Sequence, residues 1–287
     1  MKLDKNTKIL IIGLGVIGGS YAKALSEKGY QVKCITKEAN DVKYGLENGM
    51  ICYGSCEVEP ELVAEAELVI FALYPGAFID WIAKYQHLFT KGCIITDVTG
   101  VKSSVVYKVQ EMLRDDVEFI PAHPMAGRER SGVEFAAPEV FKGANYIVTP
   151  TEKNTLGAIK LCKKLGEELG FARISELSPE QHDEMIAFLS QLTHCIAVVL
   201  MNCNDSDGLE KYTGDSFRDL TRIAKINDRM WSELFLMNKD ALLCEMDRFL
   251  AEFTEFRDYL AAGDGKRMRE KMRSSSARRT LFDKPSK

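Results

Sequence analysis

The chain has 287 residues, 46% hydrophobic and 28% charged, which is an ordinary globular balance with room for two domains or one large one. A chain this long buries a sizeable core without disulfides or structural metal. A net charge of −4 supplies no basic field for nucleic acid, no apolar run reaches the roughly 18 residues of a membrane helix, and the polar start carries no secretory pattern, so the expectation is a cytoplasmic protein with no membrane or nucleic-acid partner.

Along the chain, apolar strand patterns at residues 8–12, 31–35, 68–73, 93–96, 117–120 and 145–148 alternate with helical patterns such as 19–28 and 101–114. A further helix at 155–169 and strand at 171–174 close this half. Such alternation predicts a doubly wound α/β domain with a mostly parallel sheet over residues 1–176. The β pattern then stops. Ser178-Pro179-Glu180-Gln181 reads as a helix start, with Ser as N-cap, Pro at the first helical position and Gln at the third. The helix it opens runs to about Asn202 and is apolar on nearly every face, which predicts a buried central helix. Helices at 216–225, 228–252 and one ending near Ala262 make 177–287 an all-α domain, and the Ser- and Arg-rich end, 266–287, is expected to be a frayed tail. The eight cysteines (34, 52, 56, 93, 162, 195, 203 and 244) contain no C-x-x-C pair and predict small buried hydrophobes in a reducing compartment, with no metal site.

Gly13-Leu14-Gly15-Val16-Ile17-Gly18 matches G-x-G-x-x-G, and it follows a strand and opens a helix. Gly13 permits the tight turn, Gly15 the approach of a pyrophosphate, and Gly18 close packing of helix on strand, so the segment predicts a Rossmann dinucleotide site. The second strand ends in Thr36-Lys37, where an acid would bind the ribose 2′-hydroxyl of NAD. A hydroxyl and a cation suit a 2′-phosphate, which favours NADP. The other reading is that Glu38 serves NAD.

Ligands in open α/β sheets lie beyond the carboxyl ends of the strands. Those ends carry Leu73-Tyr74-Pro75, then Asp97-Val98-Thr99-Gly100-Val101-Lys102, then Pro121-Ala122-His123-Pro124-Met125-Ala126-Gly127, and Leu73, Tyr74 and Asp97 are expected at the cofactor. His123, stiffened between two prolines in an expected loop, is the candidate proton acceptor. His87 and His182 are expected at the surface. His194 lies inside the apolar helix, one turn after Ser190 and Gln191, and either ties helices together or faces the cleft. Arg218 and Arg222 share a helix face, where they hold an anion between them or are neutralised by Asp215 and Asp219.

These residues together resemble the prephenate/arogenate dehydrogenase family over almost the whole chain. The most specific pieces are His123-Pro124-Met125-Ala126-Gly127, Ser190-Gln191-Leu192-Thr193-His194 and Phe217-Arg218-Asp219-Leu220-Thr221-Arg222-Ile223. The resemblance implies NAD(P)-dependent oxidative decarboxylation of prephenate or arogenate in tyrosine biosynthesis. It makes His123 the acceptor of the 4-hydroxyl proton and Arg222, supported by Arg218, the holder of a substrate carboxylate. His194 and Gln191 line the same pocket, Trp231 approaches it, and a homodimer forms through the helical domain. The chain departs from the family pattern at three places. Gly100 replaces a serine that contacts the catalytic histidine, a role Thr99 is expected to take. Arg128 replaces a threonine and adds a cation near the pocket, and Gln191 replaces a histidine of some relatives. The length leaves no room for an added chorismate mutase or full ACT domain. The rival readings are a 3-hydroxyacid-type dehydrogenase, which needs a lysine where Gln191 and His194 stand, and a non-catalytic dinucleotide-binding regulator.

Overall fold

The computed structural model describes residues 2–127 and 130–283, which divide into two compact units, Met1–Asn238 and Lys239–Lys287. The first unit opens with β1 (Ile9–Ile12), α1 (Val16–Glu27), β2 (Val32–Ile35), α2 (Ala39–Glu47), β3 (Tyr53–Ser55), α3 (Pro60–Ala64), β4 (Leu68–Phe71), α4 (Pro75–Tyr85), β5 (Ile94–Asp97), α5 (Ser103–Met112) and β6 (Glu118–Phe119). The six strands form one parallel sheet in the order β3-β2-β1-β4-β5-β6. This is the predicted Rossmann layer, and its order reverses between β1 and β4, the point at which folds of this kind bind their ligands. The continuous apolar runs have a simple cause. Ile9 and Ile11 of β1 pack into one core while Leu10 and Ile12 pack into the other, and in β4 Leu68 and Ile70 separate from Val69 and Phe71 in the same way. A strand covered on both faces must be apolar at every position. The short edge strand β3 escaped prediction because Gly54 and the exposed Tyr53 interrupt any such run.

A second sheet follows, β7 (Ala122–Met125), β8 (Asn145–Val148) and, after α6 (Leu156–Leu169), β9 (Arg173–Glu176). β7 runs antiparallel to β8, and β8 parallel to β9. His123 therefore sits in a strand, paired with Ile147, and not in the expected loop. The two prolines that suggested a loop are compatible with β7 because it is an edge strand, where Pro124 has no ladder donor to lose.

Residues Pro179–Asn202 form one 24-residue rod: α7 (Pro179–Ile186), a π-helical stretch (Ala187–Leu192) and α8 (Thr193–Asn202). It opens with the predicted capping box, Gln181 N–H donating to Ser178 Oγ at 3.2 Å and Ser178 N–H to Gln181 Oε1 at 3.1 Å. The rod is long and apolar enough to cross a membrane by length and composition, contrary to the sequence scan. Nor is it the fully buried helix expected. Only 28% of its most apolar window is buried, and Phe188, Leu189, Val199 and Met201 are exposed. Apolarity all round reads as burial within one chain, but here only one side packs, carrying His182, Asp183, Gln191 and Leu192.

The unit ends with α9 (Asp215–Thr221) and α10 (Asp228–Met237). The single helix expected at 228–252 breaks at Asn238, whose amide Nδ2 donates to the Asp183 carbonyl at 2.9 Å and to Gln191 Oε1 at 2.8 Å. The second unit holds α11 (Lys239–Ala261) and α12 (Gly265–Arg279). α12 corrects the expectation of a frayed tail. Asp264 caps it by accepting from Arg267 N–H at 3.0 Å, and Lys271 pairs with Glu252 and Glu255 of α11. Residues 284–287 lie outside the described residues. The cysteine expectation holds for Cys34, Cys93 and Cys162, which are buried, but Cys52, Cys56, Cys203 and Cys244 are exposed.

Candidate active site

The glycine loop between β1 and α1 has the geometry of a phosphate cradle. Gly13 has φ +96°, and a Cβ there would stand 2.6 Å from the Ala72 carbonyl oxygen. A Cβ on Gly18 would stand 2.0 Å from the Gly13 oxygen, so the close crossing of helix and strand requires glycine. Nothing lies within 4 Å of a Cβ on Gly15, which leaves room for a ligand at the N-terminus of α1, whose first turn carries no acid. Leu14 is buried, while Val16 and Ile17, in the first turn of α1, are half-buried. These residues fit a dinucleotide pyrophosphate. At the end of β2, Thr36 is largely buried and Lys37 and Glu38 are exposed. Leu73 and Tyr74 line the turn after β4, and Leu73 Cδ2 would meet a Gly13 Cβ at 2.9 Å.

A second cluster of the site centres on His123. Its Nδ1 lies 2.8 Å from Nε2 of His182, and Nδ1 of His182 lies 2.8 Å from Asp183 Oδ1. The Asp183 carboxyl also accepts from the backbone N–H of Lys102 and of Ser103, each at 2.8 Å. Burial alone would raise its pKa, but the hydrogen bonds from His182 and these two N–H groups outweigh that and hold it below the usual carboxylate value. An ionised Asp183 only accepts, so His182 carries its proton on Nδ1. Nε2 of a neutral His182 then accepts from His123 Nδ1–H, and His123 Nε2 is left with a lone pair. Both rings stay neutral: burial, the neighbouring His182 and the Lys102 charge hold His123 well below an ordinary histidine, and burial lowers His182 against the pull of Asp183. The free lone pair faces Gly100, where a Cβ would lie 3.9 Å from Nε2.

A buried ion pair carries the strand that holds His123. Lys102 Nζ and Asp97 are fully buried and 2.7 Å apart, and Lys102 Nζ donates to the Ala122 carbonyl at 2.6 Å while Ala122 N–H donates to Asp97 Oδ1 at 3.0 Å. Two sequence expectations are corrected here. Asp97 was expected at the cofactor, but its oxygens are taken by Lys102, Ala122 and Thr99. Thr99 was expected to contact His123 in place of the family serine. Its hydroxyl instead donates toward Asp97 and the Val101 carbonyl, with Lys102 Nζ at 3.3 Å.

On the helical side, His194 Nδ1 lies 2.8 Å from the Ser190 carbonyl, and its ring stacks on Trp231 with centroids 3.7 Å apart. Leu234 of α10 covers Gly100, at 3.6 Å from a Cβ built there. Gln191 was expected to touch substrate. It is buried, and its amide instead joins the rod to α10 by donating to the Leu234 carbonyl at 3.0 Å and accepting from Asn238. Arg218 is exposed and pairs with Asp215 at 3.0 Å, one of the two partners foreseen. Arg222 is exposed and opens the 3₁₀ turn Arg222–Ala224 that follows α9. Arg128 lies outside the described residues. His87 is exposed as expected, but His182 is fully buried, a correction with functional weight. His182, Asp183 and Lys102 were the functional residues missed. The available signal was an adjacent His-Asp pair in the first turns of a helix that begins where the β pattern stops.

The family model for the prephenate dehydrogenase nucleotide-binding domain matches residues 21–175, and that for the prephenate dehydrogenase dimerization domain matches 178–274. The chain belongs to the prephenate dehydrogenase family. It is 32% identical to the cyclohexadienyl dehydrogenase of Zymomonas mobilis over 282 residues, covering 94% of each chain. It is 31% identical to the prephenate dehydrogenase of Bacillus subtilis, over 91% of this chain and 72% of that one. The crystal structure of Aquifex aeolicus prephenate dehydrogenase, in complex with hydroxyphenyl propionate and NAD+, superposes with a TM-score of 0.89 at 27% identity, over 99% of this chain and all of that one. As a prephenate dehydrogenase family member, the protein is an NAD(P)-binding oxidoreductase of the prephenate/arogenate dehydrogenase type.

Proposed function

We propose that His123 is the general base in the oxidative decarboxylation of prephenate to 4-hydroxyphenylpyruvate, or of arogenate to tyrosine. The carrying observation is the Asp183–His182–His123 chain, which leaves a lone pair on His123 Nε2 beside Gly100. His123 Nε2 takes the 4-hydroxyl proton, and the electron pair on oxygen drives hydride from the carbinol carbon. The ring carboxylate then leaves as CO2, the ring becomes aromatic, and the phenolate oxygen takes the proton back from His123. A bound nicotinamide supplies the hydride acceptor. The resemblance supports Arg222 as the clamp on a substrate carboxylate with Arg218 supporting it, and His194 and Trp231 as pocket walls; Arg128, where the family carries threonine, adds a further cation by its charge alone.

The dinucleotide-binding domain is residues 1–176 and the helical substrate domain 177–287. Thr36-Lys37 favours NADP. The helical domain forms a homodimer, in which the exposed Phe188, Leu189, Val199 and Met201 of the rod meet the partner; the match to a dimerization domain over 178–274 supports this. Initial rates with prephenate and with arogenate, each with NAD and with NADP, test the reading. Turnover of at least one acid, with higher kcat/KM for NADP, is expected. No turnover in any of the four combinations contradicts it.

A further inference from the structure

Helix α4 begins at the turn that follows β4, and it cannot cap itself. Its N-cap residue is Tyr74, which makes no side-chain cap, and Pro75 at the first helical position has no N–H. The first donor that needs a partner is the N–H of Gly76. Glu233, 157 residues away on α10, provides it, with Oε1 2.5 Å from Gly76 N. A carboxylate at a helix N-terminus is also favoured by the positive end of the helix dipole. Gly76 leaves little space beyond this contact, because a Cβ there would stand 2.9 Å from the same oxygen. A second bond joins the same pieces, Asn227 Nδ2 donating to the Tyr74 hydroxyl at 3.1 Å.

The 73–76 turn held in this way walls the dinucleotide cleft. A Cβ on Gly13 would meet Leu73 Cδ2 at 2.9 Å and the Ala72 oxygen at 2.6 Å, so the turn and the glycine loop are in contact. The helix that grips the turn also carries Trp231 against His194 and Leu234 over Gly100. We infer that Glu233 is a positioning residue for the dinucleotide: by capping α4 from α10 it holds the 73–76 wall against the glycine loop. The inference rests on the reading of the Gly13–Gly18 loop as the dinucleotide cradle. Pre-organising one wall of a cleft lowers the ordering cost of binding without adding a contact.

Fluorescence titration of the full chain with NADH and NADPH, alongside steady-state kinetics and thermal melts, tests it on Glu233→Ala and Glu233→Gln. Glu233→Ala is expected to raise the Kd and KM of the dinucleotide by roughly three- to tenfold, the size of a lost helix cap. The KM of the cyclohexadienyl acid and kcat should move less than about twofold. Glu233→Gln keeps an oxygen acceptor and should recover most of the affinity, a rescue that general loosening of the fold would not produce. A folded Glu233→Ala protein with unchanged dinucleotide Kd overturns the inference, as does an equal rise in both KM values. Wild-type protein that binds neither dinucleotide overturns the cradle reading itself, and this inference with it.

Discussion

The two halves of the site are built in different ways. The dinucleotide cradle is a property of the backbone: three glycines within six residues, a positive φ at Gly13, and a helix crossing its strand so closely that a Cβ on Gly18 would lie 2.0 Å from the Gly13 oxygen. The half proposed for proton transfer is a property of side chains brought from far apart. His123 leans on His182, 59 positions away, and the backbone of Lys102 on Asp183, 81 positions away. A backbone constraint tolerates few residue types and leaves a short motif. A side-chain network leaves only ordinary residues at unrelated positions. The comparison predicts that damage to the network is larger and less local than damage to the cofactor-selecting end of β2.

The largest expected effect is at the fully buried Lys102–Asp97 pair. Lys102→Met strands a carboxylate among buried groups and should cost on the order of 3–5 kcal/mol of stability, read from denaturant midpoints. Lys102→Met combined with Asp97→Asn should recover part of that loss. Equal stability of wild type and the single variant would remove the clamp from the account. Next comes Arg222→Ala, which should raise KM for the cyclohexadienyl acid by at least about thirtyfold with a smaller change in kcat. An unchanged KM would return Arg222 to the role of a solvated surface residue. Smallest is the cofactor choice. The proposed preference for NADP should weaken as salt rises, since an exposed lysine–phosphate contact is screened, and Thr36→Asp should reverse it by about tenfold. A wild-type preference for NAD would mean that another residue, Glu38 first among them, reads the ribose.

The same contrast explains what was legible in the sequence. Continuous apolar runs marked β1 and β4, whose two faces are both buried, and shorter apolar stretches marked β2 and β5, which also carry Lys33 and Thr96-Asp97. The glycine loop and the Ser178 capping box were legible because each is local. His123 was legible as the candidate proton acceptor, though not as part of a strand, because its flanking prolines signal a turn unless an edge strand is known to be there. His182 looked like an exposed residue in a helix's first turn. Only the tertiary packing of that turn beneath β7 and the start of α5 buries it. Gln191, Thr99 and Asp97 were placed in the right region and given the wrong task, since polar residues that brace a site and those that line it share composition. The rod's exposed apolar residues could not be told from buried ones, because periodicity reports apolar faces and not what covers them.

The central claim is that Asp183, through His182, fixes the tautomer that leaves His123 Nε2 free. Asp183→Asn preserves shape but offers one acceptor oxygen where the carboxylate offers two: with that oxygen kept on Ser103 N–H, the NH2 takes the place of Oδ1, where it faces His182 Nδ1 and costs the Lys102 N–H its acceptor. His182 must then carry its proton on Nε2 and donate to His123 Nδ1, which puts the His123 proton on Nε2 and blocks its action as a base. The decisive measurement is the pH profile of kcat/KM for wild type and Asp183→Asn. In the wild type, burial, His182 and the Lys102 charge lower the His123 pKa. The base form therefore persists below the ordinary histidine range, and the acid limb should lie below pH ~6.5. In Asp183→Asn, kcat should fall by at least about a hundredfold with the dinucleotide Kd unchanged. A variant within a few-fold of wild-type kcat, with the same acid limb, would contradict the relay.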